Sequence, residues 1–229
     1  MQGYKIRLEF ISPGLPGAGE GWGSVIDTDL VFDSLGLPYF PARRLKGALK
    51  ESALETLEMM LLANIPAFKK ELRDDLIEIA FGKPGSAQGG LINFSNLNLP
   101  QYDKVSLWCK WALQEYSNIL SPDIIINTFT EIRQQTSINE RGVADDHSLR
   151  TVRVLKAGIV FEGEVSFYEA GADYEAVTKI IDLLVLSCAN LRYLGTMRNR
   201  GFGRVRCTLL KNNSNCFDET IDRLAKEAN

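Results

Sequence analysis

The chain is short of the side chains that most often carry metal, acid–base or nucleophilic chemistry. It holds one histidine, His147, and four cysteines. Cys109, Cys188, Cys207 and Cys216 stand far apart and form no CxxC pair, which argues against a zinc site and a disulfide framework and makes a reducing cytoplasm the default compartment. No apolar run approaches the roughly 20 residues needed to cross a bilayer, so no membrane partner is expected. Lys5, Arg7 and Glu9 interrupt the stretch Met1 to Phe10, unlike the apolar region of a signal peptide. No Ser–His–Asp or Cys–His arrangement is legible, and the GK[ST] of a nucleotide-binding P-loop does not occur. Repeats of fixed period and low-complexity tracts are absent too.

Acid is missing from two places that matter more. Between Leu183 and Phe217 there is no Asp or Glu, while Arg192, Arg198, Arg200, Arg204, Arg206 and Lys211 fall there. Between Ala42 and Lys50 stand Arg43, Arg44, Lys46 and Lys50, again without an acid. The formal net charge is nevertheless −3, so carboxylates such as Glu71, Asp74, Asp75 and Glu78 gather elsewhere. Such a distribution can set one basic face on an acidic body. The remaining composition, 45% hydrophobic and 24% charged over 229 residues, is that of an ordinary globular chain.

Periodicity divides the chain into elements. Tyr4 to Phe10 alternates with period two and reads as a half-buried strand. Five glycines between Ser12 and Ser24 preclude a helix or strand there. Val25 to Phe32 reads as a short extended piece, and Asp33 to Pro41 as a turn. Leu45, Leu49, Leu54, Leu57 and Leu61 recur at helical spacing after Pro41, and a second helix is expected over Phe68 to Phe81, stopped by Gly82. Leu91 to Leu97 alternates like a strand, and Leu107 to Tyr116 reads as a short helix inside an insertion. Ile124 to Arg153 is mostly polar and resembles an excursion more than core. Gly158 to Tyr168 is a strand, Tyr174 to Tyr193 a largely buried helix, Gly203 to Leu210 the last strand, and Phe217 to Ala228 a terminal helix. The main elements run βαββαβ, the order of an α+β, ferredoxin-like fold. A single domain over 1–229 is expected, with insertions near 12–24 and near 100–153.

The segment Leu194 to Arg206, LGTMRNRGFGRVR, carries the most chemistry. Its glycines could turn several N–H groups into an anion-binding nest, and its arginines suit phosphate oxygens. A glycine-capped helix end followed by a solvated hairpin has a similar composition, and the long acid-free run favours phosphate contact. LPYFPARRLKGALK (37–50) sets basic residues in the first turns of a helix, where the macrodipole disfavours them and a bound anion would relieve the conflict. Phe202 and Trp22, Trp108 and Trp111 are candidates to stack on bases; Trp108 and Trp111, at helical spacing, read better as packing residues. Asp27 and Asp29 form a DxD that could orient a 2′-hydroxyl or hold hydrated Mg²⁺, although such pairs often only cap turns.

These segments together resemble the RAMP superfamily of CRISPR-associated proteins. The resemblance rests on GLPYFPARRLKGAL (36–49), TEIRQQTSINERG (130–142), SLRTVRVLKAGIVFEGEVSF (148–167) and LGTMRNRGFGRVR (194–206). In that family a turn like PYIPGSSLKG opens the first helix and a glycine-rich loop precedes the last strand. IDTDLVFDSLGLPYFPARRLKG (26–47) is most similar to the repeated backbone subunit of type III effector complexes. The resemblance implies that Arg43, Arg44, Lys46, Lys50, Arg133, Arg150, Arg153, Arg198, Arg200 and Arg204 contact RNA. It implies that 130–153 forms a thumb-like hairpin, and that Asp27 cleaves target RNA with Mg²⁺, no cofactor being tightly held. Guide RNA, target RNA and other complex subunits are the implied partners. Arg43 and Arg44 where small residues are usual, and Asp29 where proline is common, suggest a divergent variety such as subtype III-D and weaken the implication of cleavage. A capping subunit of the same complex and a repeat-RNA processing endoribonuclease remain alternatives. The latter would want a histidine near the first helix, where 42–62 has none.

Overall fold

A computed structural model describes residues 3–15, 31–63, 73–83, 85, 89–136, 150–168 and 174–227. Strand β1 (Tyr4–Phe10) is the centre of the sheet, with β5 (Val160–Phe167) on one side and β6 (Val205–Lys211) on the other, both antiparallel to it. Beyond β5 lies β2 (Ile92–Phe94), and beyond β6 a two-residue β7 (Ser214–Asn215), giving the order β2-β5-β1-β6-β7. Read through its four long-range strands, this is the ferredoxin-like sheet.

The period-two pattern of β1 buries Ile6, Leu8 and Phe10 under the helices and turns Lys5, Arg7 and Glu9 to the opposite face. On that face Arg7 pairs with Glu162 at 3.4 Å and Arg206 with Glu9 at 3.2 Å. Helices α1 (Ala42–Leu62) and α5 (Tyr174–Asn190) cover the buried face. Leu45, Leu49, Ala53 and Leu57 form the buried stripe of α1, as the 3.6-residue period requires. The two helices meet through small polar groups: Ser52 Oγ donates to the Ser187 carbonyl at 2.8 Å, and Ser187 Oγ turns back to the Leu183 carbonyl. Since α5 is also flanked by β6 and the terminal helix α6 (Phe217–Glu227), residues 182–188 are buried all round. Asp182 is among them at 3% exposure. Its carboxylate takes a hydrogen bond from Thr220 Oγ1 at 3.4 Å and an ion pair from Arg223, so α6 is tied to α5 by a buried charge.

The second helix, α2, is described as Arg73–Phe81, and its expected start at Phe68 lies outside the described residues. Four features depart from the reading of the sequence. The 102–115 segment is a full helix, α3 (Tyr102–Glu115). The polar excursion begins with α4 (Pro122–Phe129) and continues into a two-stranded ribbon, β3 (Thr130–Gln135) against β4 (Arg150–Leu155). The ribbon is not purely solvated: Val152 and Val154 are buried with Leu15 in a small second core, against which Met197 and Phe202 pack. Phe202 is therefore held by this cluster and is not a free stacking platform. Trp108 and Trp111, expected to pack, are 63% and 51% exposed. All four cysteines are buried and unpaired, and a hydrogen bond with Cys207, then burial, pushes the Cys188 thiol well above its ordinary range. Among the described residues no helix is long and apolar enough to cross a membrane.

The turn before α1 is built on Asp33. Its Oδ1 accepts from the Leu35 and Leu37 N–H groups at 2.8 and 2.9 Å, and its Oδ2 from Tyr102 Oη at 2.6 Å. That last bond, then burial, pushes the Tyr102 pKa up to about 12. The neutral phenol is thus the form the fold favours: its contribution to stability is intact below the ordinary value of 10.0 and is lost as pH rises towards 12. Ultraviolet difference titration against Tyr102→Phe should find this phenol ionising well above its ordinary range, and Asp33→Asn should bring it down. A Tyr102 that titrates at 10.0 in the unaltered chain would show the bond absent in solution.

Candidate nucleic-acid interface

The loop between α5 and β6 stands at the end of the sheet where β1 finishes. Three glycines have positive φ: Gly195 at 89°, Gly201 at 81° and Gly203 at 72°. Gly203 is the position with no alternative, because a Cβ there would lie 2.0 Å from the Leu194 carbonyl oxygen. Between the glycines, Arg198–Arg200 makes one 3-10 turn whose side chains are all exposed.

Part of the anion nest expected of these glycines is used up by the fold itself. Leu194 N–H donates to the Gly203 carbonyl, Gly203 N–H to Pro13, Thr196 N–H to Leu15 and Val205 N–H to Arg192. Arg200 and Gly201 N–H groups close the 3-10 turn, and Arg204 N–H meets Ser12 Oγ at 2.9 Å. What the loop offers a phosphate is side-chain charge. Arg192 and Arg204 are exposed, with no side-chain partner among the described residues, and Arg198 spends only its Nε, on the Gly195 carbonyl at 3.0 Å. Arg192 lies outside the glycine motif; the acid-free run was the signal that includes it.

Two depressions flank these arginines. One, of about 620 Å³, runs along the outer edge of β6 and is lined by Arg192, Tyr193, Arg204 and Arg206 among others. The other, of about 370 Å³, lies between the loop and α1, with Arg192, Tyr193 and Arg198 on one wall and Ala48, Glu51 and Glu55 on the other. Arg44 sits on the same helical stripe as Ala48, Glu51 and Glu55, spaced i, i+4, i+7 and i+11. Arg43, Lys46 and Lys50 occupy the opposite flank, where Lys50 Nζ donates to the Gly82 carbonyl behind α2 at 3.2 Å. The basic turn of α1 is therefore divided, and of its side chains Arg44 shares a flank with the loop. The first turn of α1 has no acid, and the exposed Ala42 N–H is capped from a distance by Asn96 Oδ1 at 2.9 Å.

On the ribbon, Arg133 lies opposite Val152 and Arg153 opposite Ile132, so the two arginines project from opposite faces. Arg133 is paired with Glu131 at 2.6 Å. Arg150 takes the register position across from Gln135. Asp27, Asp29, Trp22 and His147 lie outside the described residues. Among the described residues no group of three or more His, Cys, Asp or Glu could hold a metal ion.

Known proteins bear on this arrangement in two ways. No curated protein sequence matches the chain. Among solved structures, a chain of the type III-B Cmr-beta complex in its apo state aligns with a TM-score of 0.63 at 17% identity, covering 93% of this chain and 98% of that one. A chain of the Cmr-beta complex bound to cognate target RNA aligns with a TM-score of 0.61 at 16% identity, covering 91% and 97%. At such identity the likeness speaks for the fold. The RAMP superfamily model matches residues 7–206, from the central strand through the glycine-rich loop into β6. A match of that extent, over the sheet order and loop just described, places the chain in the RAMP superfamily.

Proposed function

We propose that this protein is a guide-RNA-binding backbone subunit of a type III CRISPR interference complex. The observation that carries the reading is the group of exposed guanidiniums around the glycine-rich loop, Arg192, Arg198, Arg200 and Arg204, at one end of the sheet. Their delocalised charge suits phosphate oxygens, with little reading of sequence. Arg44 extends the track along the α1 flank, and the β3–β4 ribbon, standing on the loop through the second core, serves as the thumb of a single domain. Two solved structures similar to this chain come from Cmr-beta complexes, one of them holding target RNA, which supports RNA and neighbouring subunits as partners.

The logarithm of the affinity of the purified chain for single-stranded RNA should fall linearly with the logarithm of salt, each phosphate contact contributing about 0.7 to the slope. Affinity independent of salt, or none at low salt, would reject the phosphate track. Target cleavage is the finer part of the reading and rests on Asp27, with Mg²⁺ held there when bound to polarise the reacting phosphate. Asp27→Ala in the assembled complex should abolish cutting of target RNA while leaving the guide bound, and EDTA should do the same. Cleavage that survives both would remove Asp27 from the reaction.

A further inference from the structure

Helix α3 leaves one face without a partner among the described residues. Ser106, Cys109 and Ala112 are its buried residues, all small and all on one side. On the opposite side Lys104, Trp108, Trp111 and Glu115 follow one another at i, i+4, i+7 and i+11, a single straight stripe, and all four are exposed. Leu107, 67% exposed, borders the stripe, and Tyr116 meets Trp111 edge-on with ring centroids 5.7 Å apart. With Ile119 at 77% exposure in the following turn, the patch amounts to on the order of 600 Å² of apolar side-chain surface, at the upper end for a monomer. Framed by Lys104 and Glu115 it approaches the roughly 800 Å² that one side of a stable protein interface buries. Exposed tryptophans ringed by polar groups are also the residues that dominate binding energy in such interfaces.

The order of residues along the stripe says what covers it. Lys104 and Glu115 stand equally far from the midpoint between Trp108 and Trp111, about 8 Å to either side at the helical rise of 1.5 Å per residue. Laid antiparallel on a copy of itself, the stripe sets Lys104 against Glu115 of the copy at both ends and Trp108 against Trp111 of the copy twice in the middle. Laid parallel, it would set lysine on lysine and glutamate on glutamate. Neither Lys104 nor Glu115 has an ion-pair partner among the described residues. We propose that the α3 stripe is a two-fold interface with a second copy of this chain, helices antiparallel, with the tryptophans as its centre and the Lys104–Glu115 pairs setting its orientation. A surface of this kind closes on itself and stops at a dimer. It is independent of the arginine-bearing loop, and RNA affinity does not test it.

Sedimentation equilibrium of the full-length chain, stripped of RNA by nuclease, provides the test. The unaltered chain should associate to a dimer, and Trp108→Ala/Trp111→Ala should remain monomeric with an unchanged circular dichroism spectrum. Lys104→Glu alone and Glu115→Lys alone each place like charges at both ends and should weaken association roughly tenfold or more. An equimolar mixture of the two single variants should recover it as a heterodimer, because the antiparallel arrangement again pairs opposite charges. A chain monomeric at every concentration reached, a dimer indifferent to the tryptophans, or a mixture no tighter than its components would each overturn the proposal; the last would do so even if the chain dimerises.

Discussion

Replacing Arg192, Arg198 and Arg204 together by glutamine is expected to weaken binding of single-stranded RNA roughly a hundredfold at low salt and to reduce the salt slope by about 2. Glutamine keeps a polar side chain of useful length and removes only the charge. The fold should tolerate the change: Arg192 and Arg204 have no side-chain partner among the described residues, and Arg198 Nε bonds the Gly195 carbonyl within its own loop. The backbone that shapes the loop is fixed by Gly203, Pro13, Leu15 and Ser12 and does not depend on the guanidiniums. Arg206→Gln supplies the contrast. Its guanidinium is already opposed by Glu9 at 3.2 Å, so its loss should change affinity little. An effect of Arg206→Gln as large as about one third of the triple variant's, in the logarithm of affinity and in the salt slope, would mean that overall charge, and not the loop, governs binding.

Arg223→Ala should be the most destabilising of the charge-removing substitutions considered, at about 3–5 kcal/mol. It leaves the Asp182 carboxylate, 3% exposed, with only the Thr220 hydroxyl at 3.4 Å among the described residues. A buried carboxylate without its counter-ion must stay desolvated or take up a proton, and either costs far more than a surface pair is worth. Urea unfolding would show the loss as a lower midpoint with an unchanged slope. Asp182→Leu combined with Arg223→Met should recover most of it, since the pair is then replaced by packing and not broken. A single variant no less stable than the parent would show that α6 is not anchored through this contact.

The parts of this molecule that could be read from the sequence are those governed by one local rule. Alternation in YKIRLEF gave β1 because one face of that strand is covered and the other is not. The leucine spacing gave α1, and Gly195, Gly201 and Gly203 marked the loop because only glycine accepts the conformations there. The rest depended on contacts between distant segments. Val152 and Val154 sit among polar neighbours, and nothing local announces that Leu15 and the loop will cover them. Trp108 and Trp111 follow helical spacing, but spacing does not say which face of a helix finds a partner. Arg43 and Arg44 are adjacent in the chain yet about 100° apart around α1, so a cluster in the sequence became two flanks in space. The N–H groups of the loop were an available nest until Pro13, Leu15 and Ser12 arrived to occupy or border them. Asp27 remains a reading of the motif alone.

The small apolar cluster of Leu15, Val152, Val154, Met197 and Phe202 ties the base of the β3–β4 ribbon to the turn that carries Arg198 and Arg200. The ribbon and the turn thus behave as the arm and foot of one lever, with Met197 and Phe202 on either side of the arginines as its bearing. The arm also runs on through residues 156–159 into β5, and its Leu155 is packed in the main core, so sheet and bearing together hold its base.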